Sequence, residues 1–440
     1  MIVSFRSVLR LTASAAALVL AASAAQASSF AIRSGQSAEG LGMAYAGAAS
    51  GGIGMGAMAW NPAAITMFPG RQSQWNATYL GATAKYNNIV GPTAALGPSD
   101  NLGINGAFIP ASYNVWQLTD RFFVGLTNTA PFGLRSKPGG SDGTWAGQTY
   151  GRSATIRTVN IAPTVGYVVN DWLSIGAALQ IQYGQVDLKQ AAAAAPGAAG
   201  VQIRGDSYDL GYRFGVTLTP FKGTNIGIAY RSGIDQTVTG RLVRYDLGGL
   251  TFPVKANLKL PGSVVFGLSQ VINDQWQAHI GVEWTNWARF GTIPVIRRTD
   301  GVTLTNLRFE YKDSWYFSGG LEYKYNQNLT LRAGVGYELS AVDVSSRSVF
   351  VSDNDRIWLS AGMSYKFSEK LNFDLGYTFI AVNKARIAYG PGTAQGGPLP
   401  LTAVANPTIH IVSAGLTYRW DDPAVAQPIV SKSGPISVRN

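Results

Sequence analysis

The chain has no cysteine and two histidines among its 440 residues. The first absence excludes disulfides and thiolate chemistry. Charge is scarce as well: Asp, Glu, Lys and Arg make up 13% of the sequence, about half the usual share, too little to coat a soluble surface. Beyond the first 27 residues no apolar run approaches the roughly 18 to 20 residues of a membrane helix, which excludes helical spanning. No Gly-Lys-Ser/Thr phosphate loop is present, so nothing points to nucleotide energy. A formal charge of +11 is spread without any run of five basic residues, which argues against nucleic acid as a partner. Those cations suit anionic lipid headgroups, lipopolysaccharide included, or an anionic substrate. Nothing calls for a cofactor or a metal.

What is present begins with an address. Arg6 and Arg10 precede an apolar run from Leu11 to Leu20 and a tail ending Ala25-Gln26-Ala27. A positive start, a short apolar stretch and an A-x-A site read as a signal peptide over 1–27, with the mature chain starting near Ser28. Ample aromatics, 18 Phe, 20 Tyr and 11 Trp, then follow in alternating segments. In Leu371-Asn372-Phe373-Asp374-Leu375-Gly376-Tyr377-Thr378-Phe379 every odd position is apolar and every even one small or polar. Such a strand sends its two faces to different solvents, as lipid outside and water inside would be.

Fourteen such segments are predicted, near 72–86, 104–117, 121–134, 153–169, 172–188, 205–219, 225–240, 255–271, 275–293, 307–325, 328–343, 355–367, 370–385 and 409–420. Short turns at 118–120, 170–171, 220–223, 273–274, 326–327 and 368–369 alternate with longer Gly/Pro/Asp-rich loops at 87–103, 135–152, 189–204, 241–254, 294–306, 344–354 and 386–408. An even strand count, short turns at one end and long loops at the other predict an all-β fold, a 14-stranded antiparallel transmembrane β-barrel in a Gram-negative outer membrane. Trp75, Tyr79, Trp116, Trp172, Trp276, Trp284, Trp287, Trp315 and Tyr325 fall at strand ends, as aromatic girdles require. By the same parity the lumen receives Arg231 and Asp235, His279 and Glu283, Glu322 and Lys324, Arg332 and Glu338, Arg356 and Lys366, and Asp374. Opposite signs on neighbouring strands predict a paired interior network.

Residues 28–70 are not strand-like. Gly40-Leu41-Gly42-Met43-Ala44-Tyr45-Ala46-Gly47 and Gly51-Gly52-Ile53-Gly54-Met55-Gly56 are small enough to pack closely inside something else. A wide barrel needs filling, so this segment is expected to be a partly helical plug in the lumen. With Trp60-Asn61-Pro62-Ala63-Ala64-Ile65, it resembles the N-terminal hatch of the FadL-type outer-membrane transporters of long-chain fatty acids and hydrocarbons. Ala130-Pro131-Phe132-Gly133-Leu134, Ala229-Tyr230-Arg231-Ser232 and Trp284-Thr285-Asn286-Trp287 extend the resemblance along the chain.

The resemblance implies passive uptake of a hydrophobic molecule. It is captured by external loops, held in a lumen pocket and released sideways at a kink in the third strand. It also implies that Phe30 lies near the pocket, that Asn61, Pro62 and Ala63 lie against the kink, and that Pro131, Phe132 and Gly133 form it. From the residues alone, Pro131 lacks a ladder N–H and Gly133 weakens pairing, so they either part this strand or begin its loop. The small apolar run Ala191 to Ala195 is a candidate for the capturing groove. A fatty acid would need a buried cation, for which Arg231, Arg332, Lys189, Arg204 and Arg244 are candidates; an alkane or arene would not.

Two other classes remain open. An aqueous porin would conduct steadily; a barrel-embedded lipid hydrolase would need His279 or His410 as base. The segment 421–440 is expected to be a periplasmic tail and the barrel a monomer.

Overall fold

A computed structural model describes residues 33–422 apart from 34, 100–103, 140–142, 394 and 398. The signal peptide, Phe30 and nearly all of the expected tail lie outside the described residues. The barrel strands are β1 (Arg71–Thr83), β2 (Ile104–Gln117), β3 (Phe122–Thr129 and Gly133–Ser136), β4 (Ser153–Asn170), β5 (Leu173–Ala191) and β6 (Gly200–Phe221). Next come β7 (Thr224–Arg231 and Ile234–Arg244), β8 (Leu250–Leu260 and Ser263–Val271), β9 (Trp276–Thr285 and Thr292–Arg297) and β10 (Thr303–Arg308 and Ser314–Lys324). The last are β11 (Leu329–Leu339), β12 (Arg356–Lys366), β13 (Leu371–Val382) and β14 (Thr408–Arg419). Neighbours pair antiparallel, and β14 closes on β1 from Thr83↔Thr408 to Gln72↔Arg419, so the sheet is a closed fourteen-stranded barrel.

All six short turns fall where the sequence places them. The outward face explains the alternation. Leu210 is 64% exposed, Phe214 54% and Val335 58%, surface that only a lipid partner makes tolerable. Trp116, Trp172, Phe221, Trp276, Tyr325, Phe367 and Trp420 ring the short-turn end. Trp287 is the exception to the girdle. It is fully buried against Phe132 and Phe290, because the ladder of β9 stops at Thr285 and a short 3₁₀ turn, Trp287–Arg289, carries the ring inward.

Three expected loops are short. The strands β5 to β10 continue outward and shorten the connections to 192–199, 245–249 and 298–302, where 189–204, 241–254 and 294–306 suggested loops. The alanine run sits on one such tip, largely exposed. The loops that remain long fold over the mouth. Asn87–Val90, Leu401–Ala405 and Ala385–Tyr389 form a three-stranded sheet packed on Tyr86, Trp145 and Val349. The sequence did not reveal that sheet, since its strands are four or five residues long and its pairing is non-local.

Inside the lumen lies the plug. A four-residue helix, α1 (Ala38–Leu41), is capped by Ser37, whose side chain accepts from the Gly40 N–H; two 3₁₀ segments follow, Gly54–Ala59 and Pro62–Met67. Asn61 starts the second by accepting from the Ala63 N–H, and Pro62 supplies a fixed φ where no N–H is needed. Close seating depends on the wall. Every strand from β3 to β14 contributes a glycine facing the plug. A Cβ on Gly227 would stand 1.8 Å from the Ala49 carbonyl oxygen, and one on Gly215 2.0 Å from Asn61 Oδ1. Glycine is used here for close backbone approach.

Candidate functional site

The break in β3 organises the site. Pairing of β2 with β3 runs from Gln117↔Phe123 to Ser112↔Asn128 and stops, whereas β2 continues along β1 to Ile104. Pro131 offers no N–H to extend the ladder. The strand resumes at Gly133 paired only with β4, Gly133↔Arg157. Phe132 is tied to β4 as well, its N–H donating to Thr158 Oγ1 at 2.9 Å. The result is a gap in the wall between β2 and the outer half of β3. Asn128 Nδ2 donates to Ser112 Oγ at 2.9 Å and finishes the last rung.

Three spaces surround this gap. Above it, under the cap, is a cavity of about 480 Å³ lined mainly by apolar side chains, among them Leu134, Ile156, Val238, Leu258, Phe290 and Phe350. That volume is within the ~300–1,000 Å³ common for small-molecule sites. Behind the gap is a polar cavity of about 60 Å³ lined by Arg33, Gln36, Ala59, Trp60, Thr129, Pro131, Arg213, Arg231 and Glu283. On the outer wall is an apolar crevice of about 390 Å³ between Trp75, Phe108, Pro110, Asn128, Ala130 and Leu416. Pro131 lines the polar cavity and Leu134 the large one, so the kinked strand runs between them with Phe132 in the middle. Thr129 borders both the polar cavity and the crevice.

The charges divide into two groups. Arg33 meets Glu283 at 2.8 Å and Glu338 at 3.2 Å. Burial disfavours its cation, but those two carboxylates outweigh that and hold it firmly charged. Further round the wall, Glu322 contacts His279 at 3.2 Å and Arg332 at 3.3 Å. Burial and the neighbouring Asp374 hold the Glu39 carboxyl of the plug well above the usual carboxylate range. Glu283, Glu338, Glu322, His279, Arg332 and Asp374 are lumen residues the parity predicted, but their pairing differs from the expected one, and the plug residues Arg33 and Glu39 join it and fasten the plug to the wall.

Arg231 and Arg213 form the second group. Arg231 lies over the Phe132 ring at 4.8 Å, with its Nε and Nη2 buried and, among the described residues, without an acceptor. Among the described residues, Arg213 bonds neutral oxygens only.

The other expected residues are distributed as follows. Arg204 borders the large cavity, but by strand alternation its side chain leaves opposite to Ile203 and Gly205. Lys189 lines a separate polar cavity of about 360 Å³ with Lys137 and Arg152. Arg244 is held by Asp246 at 2.5 Å on an exposed hairpin tip. Arg332 belongs to the plug network. Asn61 Nδ2 donates to the carbonyls of Ala49 (2.7 Å) and Val216 (3.0 Å) and to Thr217 Oγ1 (3.2 Å), so Asn61 is seated on β6. Ala63 faces Gly176 of β5. At the kink itself stand Gln36, whose Nε2 donates to the Ala130 carbonyl at 3.3 Å, and Ala59 and Trp60, immediately before that turn.

Three lumen assignments are corrected. Lys324 ends its strand exposed at the short-turn rim, and Glu322 pairs with His279 and Arg332 instead. Asp235 faces outward and pairs with Arg289 at 2.6 Å, because the break at Ser232-Gly233 shifts β7 by one residue and reverses its faces. Lys366 stands at the periplasmic rim with Glu369. Arg213 was missed, although a lone Arg between Tyr212 and Phe214 at an inward position is a visible signal.

A closed barrel with an internal plug, an apolar lumen cavity and a broken wall strand defines an outer-membrane protein of the transport class. The chain belongs to the family described as outer membrane protein transport protein (OMPP1/FadL/TodX), which it matches over residues 18–420. It is 27% identical over 391 residues to a long-chain fatty acid transport protein of Salmonella typhi, covering 81% of this chain and 88% of that one. It is 25% identical over 446 residues to outer membrane protein P1 of Haemophilus influenzae, covering 90% and 95%. Among solved structures, a Pseudomonas aeruginosa FadL homologue superposes with a TM-score of 0.81 at 22% identity, covering 90% of this chain and all of that one (100%). The Pseudomonas putida toluene transporter TodX gives a TM-score of 0.65 at 18% identity, covering 88% and 99%. At those identities the structures establish the fold.

Proposed function

We propose that the protein takes up a long-chain acid passively: external capture, residence in the large cavity, and lateral release through the gap beside Pro131. The observation that carries this reading is the break in β3, where an apolar cavity and an apolar outer crevice approach each other across a few residues. A hydrophobic ligand leaving there meets lipid rather than water. Moderate binding suits such a route, since a ligand held too tightly would not leave.

The choice of an acid over a bare hydrocarbon is supported by Arg231. A buried guanidinium with unmet donors is costly, and a carboxylate is its natural complement. Arg231→Gln is therefore expected to weaken binding of a long-chain acid about ten- to hundredfold, the range for losing one charge-assisted contact, and to leave an alkane of equal length unaffected. Calorimetry on the purified barrel reads both; equal losses for acid and alkane would contradict the assignment.

The hydrolase alternative has a specific geometry to answer. Ser269 Oγ is 2.8 Å from His279 Nδ1, and His279 Nε2 is 3.2 Å from Glu322, an order familiar from acyl-transfer sites. The plug presses on this group. A Cβ on Gly52 would lie 2.5 Å from both Ser269 Oγ and His279 Nδ1, and Ser50 Oγ is 2.6 Å from Ser269 Oγ. No room is left there for an acyl group, and the arrangement acts as a plug contact.

A further inference from the structure

Arg213 joins three parts of the molecule. It stands on β6 facing the lumen and is 2% exposed. Its Nη1 donates to the plug carbonyls of Met58 at 3.1 Å and Ala59 at 2.5 Å, and its Nη2 to Thr127 Oγ1 of β3 at 3.1 Å. Two residues beyond Thr127 the strand breaks. Ala59 and Trp60, on the plug side, line the same polar cavity as Pro131. One guanidinium therefore clamps the plug to the strand that borders the gap.

The chemistry of that clamp is unequal to that of its neighbour. Arg33 in the same cavity has two carboxylates, whereas among the described residues Arg213 is bonded to none. Its Nε is buried without an acceptor, as are Nε and Nη2 of Arg231. A carboxylate offers a guanidinium a bidentate contact and charge–charge attraction in a low-dielectric site, neither of which a neutral carbonyl supplies. An anion entering the cavity thus competes favourably for Arg213 against Met58 and Ala59.

We propose that Arg213 is a latch between plug and gate strand, and that the anionic headgroup of a ligand opens it by drawing the guanidinium off the Met58 and Ala59 carbonyls. Arg213 is a positioning residue in this scheme, and the scheme rests on the lateral-release reading above. Release of 58–60 loosens the plug where it abuts Pro131 and leaves the Gln36 contact with the Ala130 carbonyl as the remaining tie there, so arrival of the headgroup is coupled to opening of the exit. By linkage the coupling is reciprocal: a plug already released binds the acid with altered affinity.

The test is hydrogen exchange of peptides covering 55–65 in the full-length protein, with palmitate or hexadecane added and binding of each followed in parallel by calorimetry. Palmitate is expected to speed exchange of this segment in the wild type by about tenfold, within the usual range of coupling between sites, and hexadecane to leave it unchanged. In Arg213→Met the segment should exchange fast without ligand and not respond to palmitate. Arg213→Lys keeps the charge but cannot span plug and β3, so it should fold as the wild type does and show a reduced response. Palmitate binding with no change at 55–65, an equal response to hexadecane, or a wild-type response in both variants would overturn the latch. Those outcomes leave lateral release standing; its own failure would appear as uptake that persists when the gap is cross-linked shut.

Discussion

Asn61→Ala is expected to convert a closed barrel into a conducting one. The substitution removes three donated hydrogen bonds, to Ala49, Val216 and Thr217, and the one accepted from the Ala63 N–H. Asn61 is fully buried, and each group left without a partner costs about 1–3 kcal/mol. Besides Asn61, the second half of the plug is held by Arg213 on the Met58 and Ala59 carbonyls and by packing against wall glycines, so loss of the Asn61 seat should loosen it from β5 and β6. The wall does not depend on Asn61, because its ladders close strand to strand. Planar-bilayer recording should then give steady conductance for the variant and almost none for the wild type, with unchanged heat-modified gel migration. Silent bilayers for a folded variant would mean that the plug is secured elsewhere.

Val238→Trp is expected to abolish uptake by filling the large cavity. Val238 points inward from β7, is 7% exposed and lines the cavity beside Ile156 and Leu258. The larger ring occupies the space of the ligand tail, and overpacking costs typically about 1–3 kcal/mol, which the mouth of a cavity absorbs better than a closed core. Affinity for a long-chain ligand should fall by about ten- to hundredfold, since the tail loses roughly 1.5–3 kcal/mol of burial. Uptake by cells carrying the variant checks this against Leu210→Trp on the outer face, which should transport normally.

Much of the architecture was legible because it follows from period and punctuation. Alternation located fourteen strands, and Asn/Asp-rich pairs located the short turns. Side-chain direction failed where strands break. Ser232-Gly233 in β7 and Pro261-Gly262 in β8 each shift the alternation by one residue, which is why Asp235 was expected in the lumen and stands outside. The kink was readable at Pro131 because a residue without an N–H cannot continue a ladder. The seat of Asn61 was not readable, since it depends on which wall glycines line up, and that register emerges only when the barrel closes. Arg204 and Arg244 looked equivalent to Arg231 as cations. Only alternation and a local aspartate separate them from the lumen.

The central claim is that cargo leaves through the wall. Ala111 and Thr129 would form the next rung if the ladder between β2 and β3 continued past Ser112↔Asn128. Both face inward and line the crevice. The decisive measurement is uptake of a radiolabelled long-chain acid by cells carrying the Ala111→Cys, Thr129→Cys double variant, oxidised and then reduced. The chain has no native cysteine to interfere. Lateral release predicts a loss of about tenfold or more on oxidation, since a covalent bridge blocks a gating step, with recovery on reduction. Unchanged uptake with the disulfide verified would mean that the ligand takes another path.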